Sequence, residues 1–167
     1  MAIAYLMLGS NMGDKHNNLQ HAAKAIDREA GKILQSSAEY ESEPWGFTNP
    51  ENFYNQILVI HTDKSPEELL NKLLSIESGM GRIRLASASY ESRTIDIDIL
   101  FYDSLVLESQ SLTIPHPRIA ERRFVLLPLL EIAPDLHHPL EDKTIWQMYR
   151  ECKDELKVMK RLRIAEG

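Results

Sequence analysis

The strongest pattern in the sequence is the stretch Tyr90-Glu91-Ser92-Arg93-Thr94-Ile95-Asp96-Ile97-Asp98-Ile99-Leu100-Phe101. Between positions 95 and 99 apolar and acidic residues alternate, which is the period of a β-strand with one buried face. The isoleucines are therefore expected to point into a core. The two aspartates, Asp96 and Asp98, are expected to point together to the opposite face.

These two aspartates form a candidate metal site. Carboxylates at positions i and i+2 of a strand lie roughly 6–7 Å apart along the backbone. Their side chains can converge on one or two hard cations, which prefer oxygen ligands, whereas a bare pair would repel and one carboxyl would tend to stay protonated. Arg93, just before the strand, adds a positive charge suited to phosphate. The alternative is a strand with a solvated acidic face, and the spacing alone leaves both interpretations open.

The composition is that of one soluble globular domain covering residues 1–167. The chain has 167 residues, of which 43% are hydrophobic and 26% are charged, so it can bury a sizeable core. The net charge of −6 argues against a general nucleic-acid-binding protein. It does not exclude a polyphosphate site, because a local cluster of arginines can outweigh the overall charge.

Cysteine usage and the N-terminal sequence indicate the compartment. Cys152 is the only cysteine, so no internal disulfide can form and a reducing environment is expected. The apolar run at residues 3–8 is too short for a signal peptide or a membrane span. We therefore expect a cytoplasmic protein without a membrane partner. We also expect a monomer that does not bind nucleic acid.

Hydrophobic periodicity and turn residues predict the order of the elements. Strands are expected at 3–8, 33–42, 53–62 and from 95 onward, with a short edge strand at 105–107. Helices are expected after each of the first and third strands, then around 118–130 with a break at Pro128, and around 145–152. The basic tail at 157–163 is expected to be peripheral. This order predicts a βαββαβ core, an α+β sandwich with a four-stranded, largely antiparallel sheet.

The second helix has the clearest start signal in the chain. Ser65 stands at the N-cap, Pro66 at the first helical position and Glu68 where it closes a capping box. A carboxylate continues the predicted apolar stripe of this helix, where it needs a partner to offset its burial. That stripe consists of Leu70, Leu73 and Leu74, followed by Glu77.

Other residues stand where a ligand could use them, although a structural role is also open for each. Trp45 and Phe47 lie in a loop at 43–52 and either cover a flat ligand or fold back onto the domain. Asn55 shares the face of Phe53 and could bind a heterocycle edge or make structural hydrogen bonds. Three arginines, at 82, 84 and 93, precede the aspartate strand and favour a phosphate–metal site.

The aspartate stretch closely resembles the signature of the 6-hydroxymethyl-7,8-dihydropterin pyrophosphokinase family. The Arg-x-x-Asp-x-Asp core of that signature stands here as Arg93-Thr94-Ile95-Asp96-Ile97-Asp98. The resemblance extends in order and spacing over residues 3 to about 125. It includes Gly9-Ser10-Asn11, Pro44-Trp45-Gly46, Phe53-Tyr54-Asn55, Glu77, Gly81-Arg82-Ile83-Arg84, Pro115-His116 and Arg122.

The resemblance implies a ferredoxin-like fold with C-terminal additions and a reaction of tetrahydrofolate biosynthesis. Such enzymes use two Mg²⁺ ions to transfer the pyrophosphoryl group of ATP to the hydroxymethyl of 6-hydroxymethyl-7,8-dihydropterin, giving AMP and the pterin pyrophosphate. It implies metal ligands at Asp96 and Asp98, and a catalytic set of these two with Arg82 and Arg93. The implied ATP-binding residues are Glu77, Arg84, Tyr90, Arg93, Ile99, Thr113, His116 and Arg122. The implied pterin-binding residues are Ser42, Pro44, Trp45, Gly46, Phe53, Asn55 and Phe124, with the two phenylalanines enclosing the ring.

This chain departs from the commonest family pattern at several positions. Glu91-Ser92 replaces a frequent Gly-Pro, Glu43 replaces a frequent proline and Ser111 replaces a frequent arginine. Two alternatives remain at the level of the sequence. One is a different metal-dependent phosphotransfer or hydrolysis enzyme, and the other is a non-catalytic regulatory module on the same fold.

Overall fold

The computed structural model describes residues 1–43, 51–81 and 94–161, which form ten strands and four helices. The strands are β1 (Ala2–Ser10), β2 (Lys32–Ser36), β3 (Tyr40–Ser42), β4 (Phe53–Thr62), β5 (Asp96–Tyr102), β6 (Leu107–Glu108), β7 (Thr113–Ile114), β8 (His137–His138), β9 (Lys143–Thr144) and β10 (Val158–Lys160). The helices are α1 (Lys15–Glu29), α2 (Pro66–Gly79), α3 (Arg123–Ile132) and α4 (Ile145–Glu151).

One antiparallel sheet lies at the centre of the described residues. Its order is β10-β3-β4-β1-β5, and β2 also pairs with β4. Strand β1 lies between β4 and β5. Seven of its nine residues are buried, as its continuous apolar sequence predicts. The order β1-α1-β2-β4-α2-β5 confirms the predicted βαββαβ sandwich.

The predicted second strand at 33–42 is two strands in the structure. Both pair with β4, and the segment between them leaves the regular ladder at Ser37. The Ser37 hydroxyl accepts a hydrogen bond from the Ile57 amide at 2.9 Å, so a side chain satisfies a donor of β4 at this point. Together with β10, this division gives a six-stranded sheet around the predicted four-stranded core.

Two hydrophobic clusters cover the sheet. The first joins β1, β4 and β5 to α1 and α2, and it contains Ile95, Ile97 and Ile99 as the alternation predicts. The second contains buried residues of α3 and α4, such as Leu126 and Met148. No helix in the described ranges is long and apolar enough to cross a membrane.

The capping box of α2 is confirmed. The predicted stripe is right at Leu73, partly right at Leu70, which packs against the first cluster, and wrong at Leu74. Ser65 accepts from the Glu68 amide while the Glu68 carboxylate accepts from the Ser65 amide. Leu74 is 41% exposed, and the buried apolar residues are instead Leu69, Leu73 and Ile76. This set has the i, i+4, i+7 spacing of one helix face, and Glu77 is buried beside it as predicted.

Three further predictions needed correction. Helix α3 continues through Pro128, which removes one backbone donor, and its apolar neighbours pack into the second cluster. The predicted edge strand at 105–107 is instead β6, which starts at Leu107 and pairs only with β7. The tail predicted to be peripheral contributes β10, an edge strand paired with β3.

Candidate active site

A cavity of about 310 Å³ opens where β1, β4 and β5 meet the start of α3. Eight residues predicted as site residues line it. They are Ser42, Phe53, Asn55, Asp96, Asp98, His116, Arg122 and Phe124. Residues distant in the chain and predicted to act on two different ligands therefore share one space.

The register of the sheet arranges the floor of this cavity. Asn55 on β4 lies opposite Gly9 on β1, and Gly9 lies opposite Asp96 on β5. Adjacent strands are about 4.8 Å apart, so the asparagine and the aspartate lie about 10 Å apart across the sheet. The next residue along each strand that faces the same way gives the row Ile57, Met7 and Asp98.

Gly9 keeps the middle of that floor open. A Cβ atom at this position would lie 3.3 Å from Asn55 Oδ1 and 3.8 Å from Phe53 Cδ1. The first distance is tighter than an ordinary van der Waals contact. The missing side chain therefore leaves room between the asparagine and the aspartates.

The two aspartates have a donor set that fits magnesium. Asp96 and Asp98 are both partly buried on one face of β5, and both line the cavity. In the described part of the chain, no group of three or more His, Cys, Asp or Glu residues could hold a metal. Magnesium commonly takes one or two protein carboxylates and completes its octahedron with water and substrate phosphates. An open carboxylate pair therefore suits this ion better than a closed cage of protein ligands would.

His116 is a neutral hydrogen-bond donor beside the aspartates. Its Nδ1 accepts a hydrogen bond from the Arg118 amide at 3.2 Å, which places the ring proton on Nε2. Burial, followed by the charges of Arg122 and Arg118, lowers the pKa of His116 to about 4, and the charge of Asp96 acts in the opposite direction. The imidazole is therefore uncharged at neutral pH and can donate through Nε2.

Arg122 brings a positive charge to the same end of the cavity. Burial lowers the pKa of its guanidinium, and the charge of Asp98 opposes this effect. The group remains charged, because an arginine is not deprotonated under these conditions. Its Cζ atom lies 5.6 Å from the centre of the Phe124 ring, so the guanidinium also packs against an aromatic side chain of the cavity.

The end of the cavity farther from the aspartates combines a buried amide with aromatic rings. Asn55 is 2% exposed, and its Nδ2 donates to the Ser42 hydroxyl at 2.7 Å. Phe53 and Phe124 also line the cavity and are partly buried. A buried amide in a cavity that also carries aromatic rings can hydrogen-bond the edge of a flat heterocycle while the rings cover its faces.

The structure does not bring every predicted residue to the cavity. Glu77 is buried on α2, Ile99 lies in the first hydrophobic cluster and Thr113 lies on β7, and none of the three lines the described cavity. Seven predicted residues lie outside the described ranges. They are Pro44, Trp45, Gly46, Arg82, Arg84, Tyr90 and Arg93.

Five lining residues were not predicted as site residues. They are Met7, Gly9, Glu43, Leu100 and Val125. Met7 and Gly9 alternate on β1 just as Asp96 and Asp98 do on β5, so the period of two could have identified them. It would have required knowing that β1 pairs with β5.

Comparison with known proteins identifies a single family. The family model described as 7,8-dihydro-6-hydroxymethylpterin-pyrophosphokinase (HPPK) matches residues 5–134. A protein of Porphyromonas gingivalis named 2-amino-4-hydroxy-6-hydroxymethyldihydropteridine pyrophosphokinase is 40% identical over 139 residues, which are 82% of this chain and 95% of that protein. A protein of the same name from Methylorubrum extorquens is 42% identical over 137 residues, covering 81% of this chain and 85% of that protein.

Longer proteins contain a similar region. The folic acid synthesis protein fol1 of Schizosaccharomyces pombe is 44% identical over 138 residues, and the match covers only 19% of its length. A solved structure of Plasmodium falciparum HPPK-DHPS has a TM-score of 0.71 at 19% identity, covering 90% of this chain and 44% of that one. The second likeness supports the fold only, because the sequence identity is low.

Proposed function

This chain belongs to the 7,8-dihydro-6-hydroxymethylpterin-pyrophosphokinase family, and we propose how the residues of its cavity divide the reaction of that family between them. The enzyme transfers the pyrophosphoryl group of ATP to the hydroxymethyl of 6-hydroxymethyl-7,8-dihydropterin in folate biosynthesis. The pterin occupies the end of the cavity lined by Ser42, Phe53, Asn55 and Phe124. The triphosphate occupies the end lined by Asp96, Asp98, His116 and Arg122.

The row of residues across the sheet carries this proposal. Asn55 and Asp96 lie on either side of Gly9 in register, so the asparagine and the aspartate face one open space. A pterin ring held at the asparagine would direct its hydroxymethyl over the glycine toward the aspartates. Because AMP is released, the new bond forms between the hydroxyl oxygen and the β-phosphorus. The bond from the β-phosphorus to the α-phosphate oxygen breaks.

We propose that Asp96 and Asp98 hold two Mg²⁺ ions. The ions would neutralise charge on the β- and γ-phosphates when they are bound. The protein contributes two carboxylates whose positions are set by a buried strand, so their geometry does not depend on a loop. Phosphoryl transfer of this kind relies on positioning and charge and needs no covalent protein nucleophile.

His116 and Arg122 bind phosphate oxygens in this proposal. The neutral imidazole donates one hydrogen bond through Nε2, and the guanidinium donates from a partly buried position where its charge is poorly screened. Glu77, Ile99 and Thr113 remain predicted nucleotide contacts. So do Arg82, Arg84, Tyr90 and Arg93, with Arg82 and Arg93 also in the catalytic set. Pro44, Trp45 and Gly46 remain predicted pterin contacts.

Three wider assignments also remain predictions. We propose one pyrophosphokinase domain over residues 1–167, because both hydrophobic clusters pack on one sheet. We propose a monomer, for which gel filtration with light scattering is the direct test. We propose a cytoplasmic location, which is compatible with the single cysteine.

Variants at the two ends of the cavity test the proposed division. Asn55→Ala should weaken binding of the reduced pterin about tenfold while changing the affinity for a non-hydrolysable ATP analogue less than about twofold. Asp96→Ala and Asp98→Ala should each slow AMP formation about a thousandfold and leave the fold intact, because neither side chain lies in the hydrophobic core.

The outcomes separate the proposal from its rivals. Near-normal turnover of either aspartate variant at saturating Mg²⁺ would contradict the metal assignment. An equal loss of pterin and nucleotide affinity in Asn55→Ala would place the asparagine outside the pterin end. Membership of the family favours pyrophosphoryl transfer over hydrolysis or a regulatory role, and AMP rather than ADP is the diagnostic product.

A further inference from the structure

We propose that the C-terminal segment, residues 154–161, is a positioning element that holds together the two walls of the pterin end of the cavity. This inference rests on the proposed function for what the cavity binds. The segment lies beyond residues 5–134, which the family model matches. It contacts one wall through β3 and the other through the start of α3.

The first attachment joins the segment to the wall that carries Ser42. Strand β10 pairs with β3 so that Val158 lies opposite Ser42, the residue that accepts the hydrogen bond from Asn55. The pairing continues one residue further, where the Glu43 amide donates to the Lys157 carbonyl at 3.2 Å. The Lys157 amide in turn donates to Glu43 Oε1 at 2.8 Å.

Glu43 is therefore joined to the segment by its backbone and by its side chain. Glu43 also lines the cavity, and residues 44–46, which are predicted to contact the pterin, follow it directly in the sequence. The C-terminal segment is therefore attached to the chain directly before these predicted pterin contacts.

The second attachment joins the segment to the wall that carries Phe124. Arg123 is the first residue of α3, and its amide donates a hydrogen bond to Asp154 Oδ2 at 3.0 Å. Arg122 stands at the N-cap of this helix and makes no capping hydrogen bond of its own, so the carboxylate of Asp154 performs that role from outside the helix. Asp154 Oδ1 also accepts from the Leu156 amide at 3.0 Å, which fixes the carboxylate.

The far end of the segment is anchored as well. The Arg161 amide donates to the Glu39 carbonyl at 2.8 Å, and its guanidinium donates to the Glu39 carboxylate at 2.7 Å. The same guanidinium lies 4.0 Å from the centre of the Tyr54 ring. Both ends of β10 are thus fixed. The segment therefore covers the edge of the sheet at β3 and also holds β3 at a fixed distance from the start of α3.

Helix α3 is also joined to β3, at its C-terminal end. Tyr40 donates to Glu131 at 2.6 Å, close to the C-terminus of the helix. The end that carries Phe124 is held by Arg123, whose amide donates to Asp154 of the C-terminal segment and whose guanidinium donates to the Tyr149 hydroxyl at 3.4 Å. Loss of that segment should therefore let the ring-bearing end of α3 move while the other end stays attached.

Paired proline variants test the first attachment. The bonds at Glu43–Lys157 and Glu39–Arg161 define the alternation of the antiparallel ladder. This alternation puts Met159 in a hydrogen-bonded pair with Glu41 and turns the amide of Lys160 outward. Met159→Pro should therefore break the ladder, and Lys160→Pro is its control at the same edge. Lys160→Ala accounts for the ion pair from Lys160 Nζ to Glu131 Oε1 at 3.5 Å, which both substitutions at position 160 remove.

A second pair of variants tests the cap. Asp154→Ala removes the acceptor for the Arg123 amide. Asp154→Asn keeps one acceptor oxygen, which suffices for the Arg123 amide but not also for the Leu156 amide. The dissociation constant of the reduced pterin is measured with a non-hydrolysable ATP analogue and Mg²⁺ present. Met159→Pro and Asp154→Ala should raise it about fivefold to tenfold. Lys160→Pro and Asp154→Asn should stay within about twofold of the parent.

Two results would overturn the inference. One is an unchanged pterin affinity in both disruptive variants, and the other is equal weakening in the disruptive and control variants at equal melting temperature. Phe124→Ala distinguishes this failure from failure of the proposed function. If Phe124→Ala weakens pterin binding and Met159→Pro does not, only the positioning role is wrong. If Phe124→Ala has no effect, the assignment of the cavity itself is wrong.

Discussion

At the scale of single residues, the site depends on an absent side chain as much as on charged ones. Gly9 lies between Asn55 and Asp96 in register, and any side chain there would enter the cavity. The aspartates could be predicted from their alternation with isoleucine, since the pattern is contained in one strand. The glycine could not be assigned to the floor from its own sequence, because its role depends on the neighbours of β1 on both sides.

Gly9→Ala should weaken pterin binding. The new Cβ would lie 3.3 Å from Asn55 Oδ1, so the asparagine must shift by a few tenths of an ångström. That shift would disturb the hydrogen bond from Asn55 to Ser42. We expect the dissociation constant of the reduced pterin, measured by calorimetry, to rise about threefold to tenfold.

A double-mutant cycle with Asn55→Ala is the control for this prediction. With the asparagine removed, the new methyl group no longer meets the oxygen at 3.3 Å, so Gly9→Ala should cost much less in that background. Strictly additive losses of binding free energy would show that the alanine acts through the backbone and not through Asn55.

At the scale of elements, local signals predicted where helices start better than which side they bury. Ser65, Pro66 and Glu68 fixed the start of α2 because a capping box is made by residues three apart. The buried stripe was misplaced at Leu74 because leucines stand at 69, 70, 73 and 74, so the leucines alone mark two adjacent faces. Ile76 extends the face of Leu69 and Leu73, and this is the face that packs in the core.

The junction between α1 and β2 requires a glycine for a steric reason. A Cβ at Gly31 would lie 2.7 Å from the His61 carbonyl oxygen, which is backbone and cannot rotate away. Gly31→Ala should therefore reduce the free energy of unfolding by about 1–3 kcal/mol in urea denaturation. The loss should leave the ratio of pterin to nucleotide affinity unchanged, because this junction is outside the cavity.

Gly79→Ala is the matched control at a helix end. A Cβ there meets no heavy atom within 4 Å, so the substitution should be neutral or stabilise the protein by up to about 1 kcal/mol. Equal destabilisation by both substitutions would rule out the contact with His61 as the cause.

At the scale of the whole molecule, pairing between strands distant in the chain determines which residues meet in the cavity, and the sequence alone does not predict this pairing. The order of elements predicted the sandwich, because each strand and helix is recognisable from its own residues. The register that aligns residues 55, 9 and 96 joins three strands far apart in the chain, so no local pattern encodes it. The attachment of the C-terminal segment to β3 and α3 was not predicted for the same reason.

The stability of the whole protein should fall as the pH drops below about 6.5, and His138 should account for part of the fall. His138 is 5% exposed, and its Nδ1 accepts from the Leu140 and Glu141 amides at 3.1 Å each. Burial lowers the pKa of this imidazole, and the charge of Glu141 opposes the effect. The folded state thus binds this proton more weakly than the unfolded state does. Its contribution to stability is complete above about pH 6.5 and is lost as the pH falls toward the lowered pKa.

The variant His138→Asn separates this contribution from that of the active site. An asparagine oxygen can accept from the same amides but does not titrate, so the free energy of unfolding should depend less on pH between about 6.5 and 5. The loss due to His116, whose pKa is lowered to about 4 in the protein without nucleotide, should remain in the variant. Urea unfolding of both proteins across this range measures the difference. Identical pH profiles of the parent protein and the variant would show that protonation of His138 is not linked to folding. The two hydrogen bonds that His138 accepts would then only stabilise the local turn.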